Sequence, residues 1–269
     1  IVNLFTGYLT VSPDLNIVSM FNDNKITSYV QKSNHLIFGI EYDLLRNLSF
    51  NLEVYYKTMS NMANANKDKL FADDKEHESK PEYLRKEYII ENGNAYGGDV
   101  SLKYDNGRLY VWAIYSLGKV TKENEIFTYA PHYDRRHNVN ILCNYQFGMD
   151  RSFELSLRWN YGSGFPFTPT ASMMEYVDWS DGMSTDWINQ NGTLTTIYGD
   201  LNSKRLPDYH RFDISAKKRF DIGKRSILEI NLSVTNVYNR NNLFYVNRIT
   251  SERVDQLPIM PSLGVSCTF

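Results

Sequence analysis

Leu36-Ile37-Phe38-Gly39-Ile40-Glu41-Tyr42-Asp43-Leu44 is followed, after Leu45-Arg46-Asn47, by Leu48-Ser49-Phe50-Asn51-Leu52-Glu53-Val54-Tyr55-Tyr56-Lys57. In the first run Leu36, Phe38, Ile40, Tyr42 and Leu44 occupy every second position. In the second, Leu48, Phe50, Leu52, Val54 and Tyr56 alternate with Ser49, Asn51, Glu53, Tyr55 and Lys57. Successive side chains of an extended strand point to opposite faces, so this alternation predicts an antiparallel hairpin with one apolar and one polar face.

The unit recurs along the chain. Tyr96, Gly98, Val100, Leu102 and Tyr104 precede Asp105-Asn106-Gly107, whose residues tolerate the positive φ of a tight hairpin. Arg108–Lys119 follows with both faces apolar, and its facing is left open by the pattern. Val139, Ile141, Cys143, Tyr145 and Phe147 pair with Phe153, Leu155, Leu157, Trp159 and Tyr161 across a Gly148-Met149-Asp150 turn. Phe212, Ile214, Ala216 and Phe220 pair with Leu228, Ile230, Leu232 and Val234 across 221–225. The last strand carries Leu257, Ile259, Leu263, Val265, Cys267 and Phe269.

The connections alternate in length. Short ones fall near 45–47, 105–107, 148–151 and 221–225, and long ones over 13–33, 60–92, 121–136, 163–208 and 236–256. With a strand at Ile1–Val11, the chain reads as about ten strands with all long loops at one end, the layout of a transmembrane β-barrel. The expected fold class is therefore all-β, an antiparallel transmembrane β-barrel, with residues 1–269 as one part of it. Runs of about 11 residues, tilted near 45°, span an apolar band about 25 Å tall.

Composition agrees with that reading. The 269 residues carry a net charge of −2, without the basic field a nucleic-acid binder needs. No segment approaches the roughly 20 apolar residues of a spanning helix. Aromatics make up 14% of the chain, with 20 Tyr, while hydrophobic content is only 42%. Rings such as Tyr55, Tyr56, Tyr145, Phe147, Trp159, Tyr161 and Phe220 sit at strand ends, where a membrane interface accommodates a part-apolar, part-polar side chain. The polar face collects Glu53, Asp99, Lys103, Glu154, Arg158, Arg211, Asp213, Lys217 and Arg219. In a barrel these line the lumen; in a soluble sandwich they face bulk water.

The chain ends Ser262-Leu263-Gly264-Val265-Ser266-Cys267-Thr268-Phe269. A final amphipathic strand with a terminal Phe resembles the recognition signal of outer-membrane barrels, with Cys267 where an aromatic is commoner. Further stretches are similar to the C-terminal part of the barrel of TonB-dependent outer-membrane receptors of the Bacteroidetes type. They are Ser33–Tyr42, Glu53–Lys57, Asn94–Asp99, Tyr133-Asp134-Arg135-Arg136-His137-Asn138 and Arg205-Leu206-Pro207-Asp208-Tyr209-His210-Arg211-Phe212-Asp213.

The resemblance implies a barrel of about 22 strands with a plugged lumen, of which this chain supplies about ten C-terminal strands, the plug domain being absent. It implies location in the cell outer membrane, contact with outer-membrane lipid, and a TonB complex acting through that plug. It also implies import of a siderophore, vitamin, glycan or peptide ligand, with a surface lipoprotein as a further partner. Two other readings stay open: a self-contained ten-stranded barrel acting as channel or rim protease, and a soluble, Tyr-rich carbohydrate-binding sandwich.

Candidate chemistry is sparse. The five His have no zinc-ligand spacing, and no nucleophile elbow or phosphate loop occurs. Local pairs such as Asp134 with His137, or Asp208 with His210, are the nearest approach to a catalytic constellation. The expectation is no enzyme, no cofactor and no metal. Cys143 and Cys267 lie on the apolar face of non-adjacent strands and are expected to stay unpaired. The long loop 163–208 gathers Tyr176, Asp178, Trp179, Asp181, Asp186, Trp187 and Asn189. Aromatic platforms stack on flat ligands, and Asp and Asn bind hydroxyls or cations, so this loop is the candidate ligand site.

Overall fold

The computed structural model describes residues 2–10 as backbone, together with residues 30–66, 75, 78–79, 85–124, 126–176, 193–222, 226–247, 250 and 252–269. Every element of these residues is a strand. The main sheet takes β1 (Val2–Thr10), β2 (Lys32–Leu45), β3 (Leu48–Ala65), β4 (Tyr88–Asp105), β5 (Leu109–Glu123), β7 (His137–Phe147), β8 (Phe153–Gly162), β13 (Tyr209–Ile222), β14 (Ser226–Thr235) and β17 (Met260–Thr268) in chain order. Short β6 (Thr128–Tyr129) pairs with β5 off this path. The pairings of β7 with β8, β8 with β13 and β13 with β14 are antiparallel, with the register that the alternation predicts: Leu157 opposite Cys143, Ile214 opposite Leu157, and Leu232 opposite Ala216.

Three long connections contain ladders of their own, which the sequence pattern did not indicate. In 163–208, β9 (Pro166–Phe167) pairs with β12 (Lys204–Arg205), and β10 (Thr170–Tyr176) pairs with β11 (Thr193–Tyr198). In 236–256, β15 (Leu243–Val246) pairs with β16 (Arg253–Asp255). In 121–136, β5 runs on to Glu123 and meets β6. The 60–92 connection is shorter than expected, because β3 continues to Ala65 and β4 begins at Tyr88. Asn61 accounts for the β3 side of the difference. Its φ of 60° is the left-handed conformation that Asn tolerates, and it interrupts the pleat. The period-2 pattern is lost there although the strand goes on. Most of 13–33 lies outside the described residues.

The chain forms two compact units. The first comprises residues 1–42, 51–99 and 117–134, and the second residues 43–50, 100–116 and 135–269. In the first, β1 pairs with β2 from Val2↔Ile40 to Thr10↔Lys32. Its apolar face is open, with Leu36 50% and Leu117 47% exposed. In the second, the facing of Arg108–Ser116 becomes readable. The Trp112 indole donates to Ser101 Oγ at 2.8 Å, and the Lys103 ammonium sits over the Tyr110 ring. Tyr110 and Trp112 therefore share the polar face, and Tyr115, stacked on His137, shares the apolar one.

Among the described residues the one buried hydrophobic side chain is Ala95. The buried polar ones are Glu91, Asp134, Ser163, Asn236 and Asn242. A water-soluble sheet protein does the opposite, burying its apolar face about 10 Å from a second sheet. Here polar groups are buried and apolar rows such as Leu232, Leu263 and Val265 stand open.

Candidate functional site

In the second unit the polar face carries four of the side chains expected to line a lumen. Arg211 and Asp213 form an ion pair at 3.0 Å. Asp213 lies directly across from Arg158 in the β8–β13 register. Glu154 accepts from Gln146 at 3.3 Å and lies 3.9 Å from Lys217. Ser215 donates to Asn231 at 2.8 Å. Glu154, Ser156, Ser215, Lys217, Glu229 and Asn231 line a shallow groove of about 440 Å³. Such a face offers exchangeable hydrogen bonds and part-exposed charges, each of modest strength. Glu53 and Asp99 belong to the first unit, on β3 and β4, Glu53 exposed and Asp99 half-buried.

The long-loop end of the second unit is held by knots built from the motif residues. Asp208 accepts from the Tyr161 hydroxyl at 2.8 Å and from the Gly164 amide at 3.0 Å. These bonds, the Tyr161 one first, hold the Asp208 carboxyl below the usual carboxylate range. Ser163 and His137 exchange two hydrogen bonds, Ser163 N to His137 O and His137 N to Ser163 Oγ. The Arg135 guanidinium stacks 4.2 Å from the Phe165 ring centre and fills the space over Gly162, where any Cβ would sit 2.5 Å from it. Together they fix the base of the 163–208 loop.

Asn236 and Asn242 do the same for 236–256. Asn236 is fully buried; its amide donates to Asp213, its side chain donates to Arg240 O and Leu257 O, and its Oδ1 accepts from Arg240 N. Asn242 offers its side-chain amide to both backbone groups of His210, accepting at 3.2 Å and donating at 2.9 Å, as a neighbouring strand would. The Asn-rich run Thr235–Asn242 was the available signal, since Asn favours positive φ and side-chain-to-backbone bonds.

In the first unit, the extension of β3, β4 and β5 buries an ion pair. Glu91 is 1% exposed and lies 3.2 Å from the Lys122 ammonium, itself 11% exposed. Tyr129 donates to Glu91 at 2.7 Å and Asn64 at 3.1 Å, so the carboxylate is satisfied on both oxygens. Burial, then the bond to Glu91, pushes the Tyr129 hydroxyl well above its ordinary range.

Of the candidate ligand loop, Tyr176 is the last residue of β10. Asp178, Trp179, Asp181, Asp186, Trp187 and Asn189 lie outside the described residues. The two local Asp/His pairs have other engagements. His210 Nδ1 is 2.7 Å from the Tyr238 hydroxyl, His137 Nδ1 is 2.9 Å from that of Tyr115, and Asp134 accepts from the Val120 amide at 2.7 Å. Among the described residues no three His, Cys, Asp or Glu side chains converge on a metal position. Cys143 and Cys267 are both free thiols.

Solved structures share the fold of this chain. The ferric-catecholate import receptor Fiu of E. coli K12 matches 99% of this chain with a TM-score of 0.63 at 14% identity. The chain has the strand fold of outer-membrane receptors. The ferripyoverdine receptor of the Pseudomonas aeruginosa outer membrane matches 99% with a TM-score of 0.63 at 12% identity. The FrpB iron transporter of Neisseria meningitidis matches 99% with 0.60 at 14% identity. This chain spans 32%, 30% and 36% of their respective lengths, about a third of each. No family model and no curated protein matches the sequence.

Proposed function

We propose that this chain is the C-terminal part of the barrel of a TonB-dependent outer-membrane receptor, of the Bacteroidetes type that its motifs resemble. In this reading the apolar face meets outer-membrane lipid and the polar face meets a plug. The loops at the long-connection end capture a nutrient of the siderophore, vitamin, glycan or peptide class, alone or with a surface lipoprotein. TonB acts through the plug, and these residues carry out no bond chemistry.

The observation that carries the reading is an open apolar face backed by a polar face of hydrogen bonds and ion pairs, in a fold shared over 99% of the chain with outer-membrane receptors. A soluble carbohydrate-binding sandwich would instead cover that apolar face with a second sheet. The sheet path also leaves β1 and β17 with one neighbour each among the described residues. In this reading further strands of a larger barrel continue the sheet beyond β1 and β17.

The test is membrane assembly of the full-length protein. Leu52→Arg and Ile230→Arg place a charge on the apolar face and should cost about 2–4 kcal/mol near the bilayer midplane, lowering the folded fraction in the outer membrane. Recovery of the wild-type protein as a stable detergent-free monomer would sink the reading. Deletion of 170–200 should abolish ligand-dependent growth while leaving assembly intact; uptake that survives the deletion removes the loop from ligand capture.

A further inference from the structure

One charged side chain breaks the apolar face of the second unit. Along β13 that face carries Phe212, Ile214, Ala216, Lys218, Phe220 and Ile222. The register fixes the orientation of Lys218, which stands opposite Phe153 on β8 and Ile230 on β14. On the same face of β7, β8, β14 and β17 the described residues include no other Lys, Arg, Asp or Glu. Its neighbours along β13 differ: Lys217 turns to the polar face toward Glu154, and Arg219 pairs there with Asp221 at 3.1 Å.

Lys218 lies at the short-turn end, level with the first residue of β8. Its ammonium is 5.7 Å above the centre of the Phe220 ring and donates to Ser152 Oγ in the adjoining turn. Phe147 packs 5.4 Å from Phe153, and Tyr145 packs 4.5 Å from Phe147, so the cation sits in a patch of rings. No described carboxylate forms an ion pair with it. An ammonium has three donors, and Ser152 takes one.

We propose that Lys218, with Ser152 beside it and Phe153 and Phe220 around it, binds the phosphate of an anionic phospholipid in the leaflet on the short-turn side. The inference rests on the membrane reading of the fold. A lysine on a lipid-facing wall is tolerated where its aliphatic stem lies along apolar surface and its head reaches the interface. That is also the depth at which aromatic rings gather and headgroup phosphates lie. The remaining donors of Lys218 therefore meet an acceptor of opposite charge, while the rings pack the first methylenes of the acyl chains.

The full-length protein is reconstituted in nanodiscs of phosphatidylcholine with a minority of phosphatidylglycerol, and the lipid retained on the protein is counted by native mass spectrometry. The wild type should retain phosphatidylglycerol in preference by roughly fivefold, the ratio expected of one lysine at an anionic surface. Lys218→Met should bring the ratio close to one, Lys218→Arg should keep it, and Arg219→Gln, which removes a cation from the opposite face, should leave it as in the wild type. An unchanged ratio in Lys218→Met, or no preference in the wild type, overturns the lipid site while leaving the membrane reading in place. Failure of the wild type to enter the discs overturns both.

Discussion

The Tyr161 hydroxyl donates to Asp208 at 2.8 Å across 47 residues of sequence, and so ties together the two ends of the long loop 163–208. The Gly164 amide, donating to the other oxygen at 3.0 Å, completes the clasp. Both bonds favour the carboxylate, which is why the Asp208 pKa falls below its ordinary 3.8. A carboxyl whose folded pKa is lowered contributes stability that is present above the unfolded value and lost as pH falls through the folded one. The loop base should therefore hold at neutral pH and loosen only in acid below about 3.8. Hydrogen exchange at the Gly164 amide reads this directly. Asp208→Asn should exchange faster at neutral pH and lose the acid transition.

Gly164 is the second requirement of the same clasp. A Cβ there would lie 1.6 Å from Leu206 O, a backbone atom that cannot swing aside. Gly164→Ala should open the β9–β12 bridge and destabilise the loop base by about 1–3 kcal/mol or more, the scale of overpacking in a rigid site. Gly39→Ala is the contrast, since its Cβ would meet the flexible Glu53 side chain at 3.4 Å. Limited proteolysis within 163–208 should accelerate for the first variant and not for the second.

Asn242 replaces a strand at the upper end of β13, pairing with both backbone groups of His210. Asn242→Leu keeps the branched shape at a larger volume and removes both partners, leaving the part-buried amide and carbonyl of His210 unsatisfied at a cost of about 1–3 kcal/mol. Asn242→Asp keeps the acceptor and loses the donor, so its cost should be smaller at the His210 amide and persist at the carbonyl. Amide exchange at His210 separates the two.

These knots mark the boundary of what the sequence makes legible. The hairpins at 45–47, 105–107 and 148–151 were readable because one face is apolar at every second position, a signal that depends only on the pleat. The pattern failed at Asn61, where one positive φ breaks the phase, and in Arg108–Ser116, where both faces carry apolar residues and only the contacts of Tyr110 and Trp112 assign them. Inside the long connections, β9 with β12 and β15 with β16 are two to four residues long, too short for alternation to register. Asp208 and His210 are visible in the sequence as a local pair, but their partners are not. The structure gives them separate partners, Tyr161 and Tyr238. Lys218 does not stand out in the sequence, because the apolar run continues on either side of it.

The buried pair Glu91–Lys122 tests whether the extended part of β3, β4 and β5 is stabilised or only specified by charge. Both groups are almost wholly out of water, so each has lost hydration that their 3.2 Å contact must offset. Breaking the pair should be costly: Glu91→Gln leaves the Lys122 ammonium uncompensated and should destabilise this unit by about 3–5 kcal/mol, read by denaturant unfolding in detergent. Replacing both partners with Met removes the desolvation penalty along with the attraction, and should be near neutral or stabilising if charge serves only to fix the register. Tyr129 adds a pH signature. Its folded pKa lies above the ordinary 10.0, raised by burial and by its bond to Glu91, so its contribution is whole below that value and fades as alkali ionises it. Tyr129→Phe should abolish the alkaline part of the transition while preserving the Glu91–Lys122 contact. A double Met variant as unstable as Glu91→Gln would mean that the ion pair itself, and not merely its satisfaction, holds the strands together.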